Sequence, residues 1–381
     1  MQSQPTTPAQ PIERHTPFYD IHVNLGAKMI KGGGDFMFPL SYADAKDEHI
    51  NTRTHVGLQD LSTMGDVDVK GPDALKLINA LTVNDMHNLV PGQARYSTMC
   101  NEQGGIMDDI TVYKFNDEHY LIVTSSSTRQ KTAKWIAEHA KGKRAYVTDT
   151  TAAIALPVVQ GPRSRDLMKA AVQGIDFDSL KFFRFAKGRI GETDVMISRS
   201  GYTGELGYEI FTPAEEAYLV WNHLMRVGKD FNLKPYGVAA MHTMRLEKSL
   251  VLFGNDANEN TTPFHCGLEK WIKFDNHEFV GREALLKIKD KGTPVRWTGL
   301  TLGGDKPAAV KDKVMNGNDE VGHVTYSNIG HTVGATLAMA YIKAEHTKPG
   351  TQLDVMIDGV KTSARVTPTP FFDPEGKRLR S

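Results

Sequence analysis

Cysteine is scarce in this chain of 381 residues, which contains only Cys100 and Cys266. Two cysteines do not form a disulfide framework, so a reducing compartment is the simpler expectation. The polar, proline-rich stretch Met1–Ile12 lacks the apolar core of a signal peptide. No run in the sequence approaches the roughly 18 apolar residues of a membrane span. We therefore expect a cytoplasmic protein with no membrane partner.

An excess of charge is also lacking, because Lys plus Arg and Asp plus Glu both number 45. Proteins that bind nucleic acids or anionic membranes usually carry a basic excess, so neither is expected as the main partner. The remaining composition, 40% hydrophobic and 24% charged, is that of an ordinary globular protein. The length allows two or three domains.

Several catalytic motifs are missing as well. HExxH and CxxC, which would indicate zinc, do not occur, and neither does the GxSxG motif of serine hydrolases. The fourteen histidines show no metal-ligand spacing, so no metal site is predicted, and only His242 and His265 remain candidates for function. The triple glycine Gly32–Gly34 has neither GxGxxG nor Walker spacing, which favours a flexible turn over a phosphate-binding loop.

The stretch from Asn101 to Lys114 contains two adjacent carboxylates, Asp108 and Asp109, where a glycine-marked turn enters an apolar strand. Successive side chains on a strand point to opposite faces, so one of the two carboxylates is predicted to face inward. A buried carboxylate is costly unless it meets a partner or a ligand. The pair is therefore either part of a functional site or a solvated strand start with one capped aspartate.

The predicted elements follow one order twice. The first copy comprises strand Met64–Lys70, helix Pro72–Leu81, strands Asp109–Phe115 and His119–Thr124, helix Arg129–Ala140 and strand Arg144–Asp149. This is the split β-α-β-β-α-β order of ferredoxin-like units. The second, similar copy comprises strand Ala153–Gln160, helix Ser164–Val172, strands Phe183–Ile190, Asp194–Ser200 and Leu206–Phe211, and a helix capped at Thr212-Pro213, with Tyr218, Trp221 and Met225 on its buried face and Gly228 at its end.

After about Arg296 the helix signals nearly stop, and short strands alternate with turns at 316–317, 328–330 and 358–359. This spacing predicts a small antiparallel barrel, connected to the rest by a basic helix at Gly281–Gly292. The predicted fold class is α+β, with two ferredoxin-like α+β units within residues 12–285 and a C-terminal antiparallel β-barrel within 292–376. Residues 1–14 are predicted to form a disordered tail.

Two further stretches carry polar residues in a dense pattern. Arg199–Phe211 has three glycines around Tyr202 and places Glu209 in the strand that follows. Taken alone, it is a glycine-rich hairpin. On the next predicted helix, Arg245 and Glu247 lie close in sequence, and a structural ion pair between them is the simplest interpretation.

Five motifs occur in a fixed order along the chain: Leu81-Thr-Val-Asn-Asp85, Tyr96 through Asp109, Gln160-Gly-Pro162, Gly201-Tyr-Thr-Gly-Glu205 and Arg245-Leu-Glu247. In this order and spacing the chain resembles the glycine-cleavage T-protein family, the folate-dependent aminomethyltransferases and their demethylase relatives. The resemblance runs from about Thr16 to Phe372. It implies three domains in a cloverleaf around a central hole, with tetrahydrofolate in that hole.

The resemblance also implies roles for single residues. Asp109 matches the family's key carboxylate near the folate, Tyr202 its folate-contacting tyrosine and Glu209 its pterin-binding glutamate, and Arg245 and Ser125 are added as folate contacts. The chemistry of these residues agrees, because one carboxylate can accept two N–H groups from the edge of a reduced pterin. An aromatic ring suits the flat face of the ligand, and a carboxylate near N5 and N10 can take or guide a proton.

The sequence departs from the family where the donor substrate is expected. Met241 and His242 stand where T-proteins carry arginine and aspartate, Phe36 where they carry tryptophan, and Ser125 where they carry asparagine. The residues expected to line the donor pocket are Phe36, Tyr42, Met241 and His265.

These departures favour a methyl donor over an aminomethyl donor. The expected reaction is O-demethylation of a small aromatic methyl ether of the methoxybenzoate type, with transfer of the methyl group to tetrahydrofolate. Asp109 and His242 are the expected catalytic residues, because His242 can protonate the leaving phenolate, while Met241 packs well against a ring. The expected partner is this small-molecule donor, with no protein partner.

Two other reactions remain open, the aminomethyltransferase reaction of the glycine cleavage system, which would need a partner protein, and demethylation of a sulfonium compound. A non-catalytic folate-binding protein is less favoured, because the reactive-cysteine motif of such relatives is missing from Phe279–Leu285.

Overall fold

The N-terminal part of the chain supplies short elements that pack against the two larger units. The computed structural model describes residues 13–275 and 277–381. Its first elements are β1 (Arg14–His15), α1 (Tyr19–Asn24), β2 (Lys28–Lys31), β3 (Phe36–Ser41), α2 (Ala45–Thr54) and β4 (Val56–Asp60). Arg14 pairs with Phe36 between β1 and β3, so the predicted disordered tail is wrong at its end, and residues 1–12 of it lie outside the described residues. The triple glycine is part of a turn, in which Gly34 has a φ of 71°.

The first α+β unit has the predicted order and one extra strand. Its elements are β5 (Gly65–Lys70), α3 (Ala74–Leu81), β6 (Gln93–Cys100), β7 (Ile106–Asn116), β8 (His119–Thr124), α4 (Arg129–Ala140) and β9 (Tyr146–Asp149). The sheet order is β6-β7-β8-β5-β9, with antiparallel neighbours. Leu77 and Ile136 from the two helices are buried against Ile122 of the sheet. The edge strand β6 was not predicted.

The second unit is completed by a strand from the N-terminal part of the chain. Its elements are β10 (Ile154–Ala155), β11 (Pro157–Gln160), α5 (Ser164–Ala171), β12 (Val172–Gln173), β13 (Phe185–Ile190), β14 (Thr193–Ser198), β15 (Gly207–Pro213), α6 (Ala217–Val227), β16 (Leu233–Pro235) and α7 (Val238–Glu247). The main sheet order is β12-β13-β14-β15-β11-β4-β16. Strand β4 is antiparallel to β11 and parallel to β16, so it separates the two strands that a ferredoxin-like unit would place side by side.

Helix α6 begins later than predicted. Thr212 and Pro213 pair with β10 as the end of β15, so the predicted helix cap there is wrong, because the strand continues through it. Trp221 is buried as expected, but Tyr218 is 62% exposed and its predicted place on the buried face is also wrong. Gly228 ends the helix as predicted.

The two units pack through one apolar interface. Tyr113 and Val123 of the first sheet and Val158 and Phe211 of the second belong to a single buried cluster. Strands from both sheets therefore end close to each other. This arrangement brings Asp109, on β7, near the glycine-rich hairpin that precedes β15.

The C-terminal part forms the predicted barrel. Its elements are α8 (Arg282–Lys291), β17 (Val295–Leu302), β18 (Lys313–Asn316), β19 (Asp319–Gly330), β20 (Ala335–Lys343), β21 (Gln352–Ile357), β22 (Val360–Val366) and α9 (Lys377–Arg380). Strands β17 to β22 close in the order β17-β20-β19-β18-β21-β22. Gly317 and Gly359 lie in hairpin turns with positive φ. The predicted turn at 328–330 is wrong, because these residues continue β19 as it pairs with β20.

The α+β fold class with its C-terminal barrel is thus confirmed. The division into residues 12–285 and 292–376 stays a prediction, and residue 12 lies outside the described residues. Among the helices that the structure describes, none is both long enough and apolar enough to span a membrane.

A buried arginine joins the separate parts. Arg53 on α2 donates from Nη2 to Glu247 Oε2 at 3.0 Å and from Nη1 to Glu205 Oε1 at 3.1 Å. The other oxygen of Glu247 accepts the backbone N–H groups of Thr332 at 2.6 Å and Val333 at 3.3 Å, between β19 and β20. The network therefore links α2, the glycine-rich hairpin, α7 and the barrel.

The electrostatics of Glu247 follow from these contacts. Burial alone would raise the pKa of its carboxyl group, but the hydrogen bond from His49 and the charge of Arg53 lower that pKa to about 2. A carboxyl group with a depressed folded-state pKa stabilises the fold above its unfolded pKa and loses this contribution as the pH falls towards the folded value.

We expect wild-type protein to lose roughly 3 kcal/mol of stability from Glu247 as the pH falls from above 4.5 to about 2. Glu247→Gln should be less stable at neutral pH and should lack this part of the pH dependence. Urea unfolding at a series of pH values measures both. Glu138→Gln, in an exposed pair with Lys134, is the matched control and should change stability by less than about 1 kcal/mol. Parallel pH curves for wild type and Glu247→Gln would contradict this assignment.

Candidate functional site

The two adjacent aspartates point to opposite faces of β7, as their spacing predicts. Asp108 is fully buried and accepts a hydrogen bond from Thr132 Oγ1 at 2.8 Å and one from the backbone N–H of Ser125 at 3.3 Å. Burial, and next the charge of Asp109, raise the pKa of Asp108 to about 7. Asp108 is thus the inward carboxylate, held by the start of α4.

Asp109 lies on the other face and is held by two hydroxyl groups. Ser125 Oγ donates to Oδ1 at 3.0 Å, and Tyr96 Oη donates to Oδ2 at 3.1 Å. Burial raises the pKa of Asp109, and these two hydrogen bonds oppose the rise. A carboxyl group with a raised pKa keeps its proton to a higher pH than a free aspartate does, which suits it to exchange a proton with a ligand.

Tyr202 lies close enough to Asp109 to interact with its charge. Burial raises the pKa of its phenol, which also interacts with the charges of Arg245 and Asp109. Its hydroxyl donates to the carbonyl oxygen of Val251 at 2.6 Å. The ring is therefore fixed by its outer end while it stays close to Asp109.

Glu209 lies on β15 at the interface of the two sheets. Its Oε2 accepts hydrogen bonds from Ser200 Oγ at 2.6 Å and Tyr113 Oη at 2.9 Å. Oε1 receives no hydrogen bond from any residue that the structure describes. Burial raises the pKa of Glu209, while the two hydroxyl donors lower it. One carboxylate oxygen is therefore left for a ligand.

Arg245 does not pair with Glu247, so the simplest interpretation of that motif is wrong. From α7 the two residues contact different partners. Arg245 Nη1 donates to Asp256 Oδ2 at 2.5 Å, while Glu247 accepts from Arg53. The Arg245 guanidinium lies 4.3 Å from the centre of the Tyr326 ring. Its Nε and Nη2 atoms are buried and have no hydrogen-bond partner in the described part of the chain.

His242 lies beside this arginine, one turn back on α7. Its ring meets Tyr326 edge-on, with centroids 5.5 Å apart. Burial, and next the charge of Arg245, lower the pKa of His242 to about 4. The assumption of a histidine that titrates near neutral pH is therefore wrong, since the imidazole is neutral at pH 7. Met241 is buried in a cluster that Tyr202 packs against.

The remaining predicted pocket residues have other contacts. Phe36 stacks on the Arg129 guanidinium at 4.5 Å. Tyr42 Oη forms a 2.8 Å hydrogen bond with His22 Nδ1, and His265 Nδ1 forms one of 2.8 Å with Thr262 Oγ1. The contacts described above bring Asp109, Ser125 and Tyr202 together, with Met241, His242 and Arg245 beside them, and do not connect Phe36, Tyr42 or His265 to this group.

The contacting residues that were not predicted include Tyr96, Tyr113, Ser200, Asp256 and Tyr326. Tyr96 lies two residues from Thr98, which pairs with Asp109 across β6 and β7, so it shares the face of that carboxylate. Strand β6 would have to be recognised before this could be inferred. In the described part of the chain, no group of three or more His, Cys, Asp or Glu residues could hold a metal ion.

Comparison with known proteins identifies the family. Residues 18–276 match the GCVT N-terminal domain, and residues 296–373 match the glycine cleavage T-protein C-terminal barrel domain. The chain belongs to the glycine cleavage T-protein family. Members of this family use tetrahydrofolate, so the predicted ligand is confirmed at the level of the family.

Individual relatives cover nearly the whole chain. An aminomethyltransferase of Halothermothrix orenii is 35% identical over 94% of this chain and 100% of its own length. One of Thermotoga maritima is 37% identical over 94% of this chain and 98% of its own. The crystal structure of the glycine cleavage system aminomethyltransferase T from Bartonella henselae has a TM-score of 0.88 at 28% identity, covering 95% of this chain and 98% of that one.

These findings overturn the expected O-demethylase reaction. Relatives named aminomethyltransferase at 33–37% identity span almost the full chain. This similarity outweighs the few residue differences from which a methyl-ether substrate was predicted. The coarser expectation, a tetrahydrofolate-dependent transferase, is retained.

We expect the His242 imidazole to titrate with a pKa near 4, because burial and the neighbouring Arg245 charge both disfavour its protonated form. A two-dimensional NMR pH titration of histidine-labelled protein measures this value, and the His242→Gln variant assigns the signal. Arg245→Met should raise the pKa part of the way, since burial remains. A wild-type His242 signal that titrates above pH 6 would contradict this prediction.

Proposed function

We propose that this chain is the aminomethyltransferase of a glycine cleavage system. It would transfer the one-carbon unit of an aminomethyl group, carried on the lipoyl arm of a partner protein, to tetrahydrofolate, giving methylene-tetrahydrofolate, ammonia and the free thiol of the reduced lipoyl arm. The observation that carries the proposal is the 35–37% identity to aminomethyltransferases over 94% of the chain. Tetrahydrofolate supplies the two nitrogens that accept the carbon.

The polar groups left without partners fit a reduced folate. The free Oε1 of Glu209 would accept an N–H group from the pterin edge, a charge-assisted hydrogen bond of the stronger kind. The unpaired Nε and Nη2 of Arg245 would bind carbonyl or carboxylate oxygens of the same ligand. Tyr202 would pack against its flat part, and Ser125 would line the site through its hydroxyl group.

Asp109 would be the group that moves a proton. The reaction removes one proton from each of the two folate nitrogens and delivers one to the departing amine and one to the departing thiolate, so a carboxyl group that can take up and pass on a proton is needed between them. Burial raises the pKa of Asp109, which favours this role. The Ser125 and Tyr96 hydroxyls keep its two oxygens oriented in either protonation state.

The departures at Met241 and His242 leave the donor side less charged than an arginine and aspartate pair would. Because the His242 imidazole is neutral at pH 7, we assign it no proton-donating role. Met241 packs beside Tyr202 and would contribute an apolar wall to the entry of the lipoyl arm.

The decisive experiment supplies tetrahydrofolate and an aminomethyl-loaded lipoyl carrier protein and measures methylene-tetrahydrofolate. We expect turnover by the wild type. Asp109→Asn should lower turnover by about 10²–10⁴-fold while folate affinity changes only a few-fold. Asp117→Asn, at an exposed residue, is the matched control and should behave as wild type. Absence of product with folate-bound wild type would refute the proposed reaction.

A second prediction concerns Glu209. Glu209→Ala should weaken tetrahydrofolate binding by roughly 1.5–3 kcal/mol, the usual range for a hydrogen bond to a charged group. Tyr113→Phe removes a donor to Glu209 while keeping the carboxylate, so its effect should be smaller. Isothermal titration calorimetry of both variants decides the point. Equal affinities for wild type and Glu209→Ala would remove Glu209 from the folate site.

A further inference from the structure

One serine is shared by the two adjacent carboxylates of β7. Thr111 pairs with Val123 between β7 and β8, and continuing this register places Ser125 opposite Asp109. The hydroxyl of Ser125 donates to Asp109 at 3.0 Å, while its backbone N–H donates to Asp108 at 3.3 Å. Asp108 therefore fixes the backbone from which the Ser125 hydroxyl reaches Asp109.

Asp108 is itself held firmly. It accepts the Thr132 hydroxyl at 2.8 Å and lies near the N-terminus of the twelve-residue helix α4, whose partial positive charge favours an ionised carboxylate. Burial opposes this and raises the pKa of Asp108 to about 7. The charge of Asp109 raises this pKa further, whereas burial alone raises the pKa of Asp109, so Asp108 keeps its proton while Asp109 titrates.

The other groups around Asp109 do not change charge in this range. The ionisable groups that interact with it, from each packed element, are Asp108 on the same strand, Tyr96 on β6, Tyr202 in the glycine-rich hairpin and Cys266 before α8. Burial raises the pKa of both phenols and that of the Cys266 thiol to about 11. None of these described groups therefore changes its charge while Asp109 titrates.

We propose that Asp108 is a positioning residue, which anchors the backbone of Ser125, keeps the Ser125 hydroxyl on Asp109 and thereby sets how readily Asp109 takes up a proton. The inference rests on the proposed function only for the catalytic use of that proton. Of the residues assigned to the folate site, Asp108 binds only Ser125, through its backbone N–H, and it acts on Asp109 through this neighbour.

The signs follow from elementary electrostatics. Asp108→Ala removes the acceptor of the Ser125 N–H and loosens the Ser125 hydroxyl, so the pKa of Asp109 should rise, whereas Asp108→Asn keeps an acceptor and should leave that pKa close to the wild-type value. Ser125→Ala removes a hydrogen bond to the ionised form, so the pKa of Asp109 should rise. A residue with a merely structural role would lower stability without moving this titration.

The test is a ¹³C NMR pH titration of the aspartate carboxyl carbons, with the Asp109 signal assigned by its loss in Asp109→Asn. Thr132→Val is the matched control, because it cuts the other hydrogen bond of Asp108 without touching Asp109, and it should shift the Asp109 titration far less than Asp108→Ala. In each variant, the acid limb of the pH profile of turnover should move in the same direction as the pKa of Asp109 measured by NMR.

An Asp109 titration that does not move in Asp108→Ala, or that moves as far in Asp108→Asn, would overturn the proposal. Should Asp108→Ala fail to fold, the upward shift in Ser125→Ala, or its absence, still decides whether the shared serine governs Asp109. Because the titration needs no turnover, a failure of aminomethyl transfer and a failure of this inference are distinguishable.

Discussion

The full satisfaction of one buried guanidinium is the constraint on which the arrangement of this protein depends. Arg53 lies away from water, and removing one partner of a buried charge is strongly destabilising. Its partners come from α7 and from the hairpin that carries Tyr202, through Glu247, Glu205 and the carbonyl oxygen of Thr203. Since Glu247 in turn binds barrel backbone, a displacement of any of these parts would leave a charge exposed to an apolar interior. The functional side chains on α7 and the hairpin are positioned as a result.

The candidate site itself uses a different principle. Its two carboxylates, Asp109 and Glu209, are held by hydroxyl groups of tyrosine and serine rather than by cations. Hydroxyl donors fix orientation without cancelling the effect of burial, so the pKa of each carboxyl group remains raised. The cation of the site, Arg245, is balanced separately by Asp256. Acceptors and donors thus remain available for a ligand that has both.

The sequence predicted the elements whose signals are local and missed those that depend on distant partners. Alternating hydrophobic residues and glycine turns were sufficient to predict the barrel. The adjacent positions of Asp108 and Asp109 on a strand were sufficient to predict that their side chains point to opposite faces. The edge strand β6 was missed because its polar residues obscure the alternation. The partner of Glu247 is 194 residues away in the chain, beyond the reach of any local pattern. The donor was misjudged for a related reason, because two substitutions on α7 were given more weight than similarity along the whole chain.

The insertion of β4 into the second sheet has a consequence for how the protein is made. All five residues of β4 are buried, yet its partner β11 follows roughly 100 residues later, about 5–20 s of synthesis at usual ribosome speeds. During that interval the intervening first unit is complete and free to fold, while β4 still lacks its neighbours. The paired β4 and β11 then bring the two ends of that unit together. The nascent chain therefore closes its second sheet around an already finished insert, and an apolar strand must stay shielded from aggregation until then.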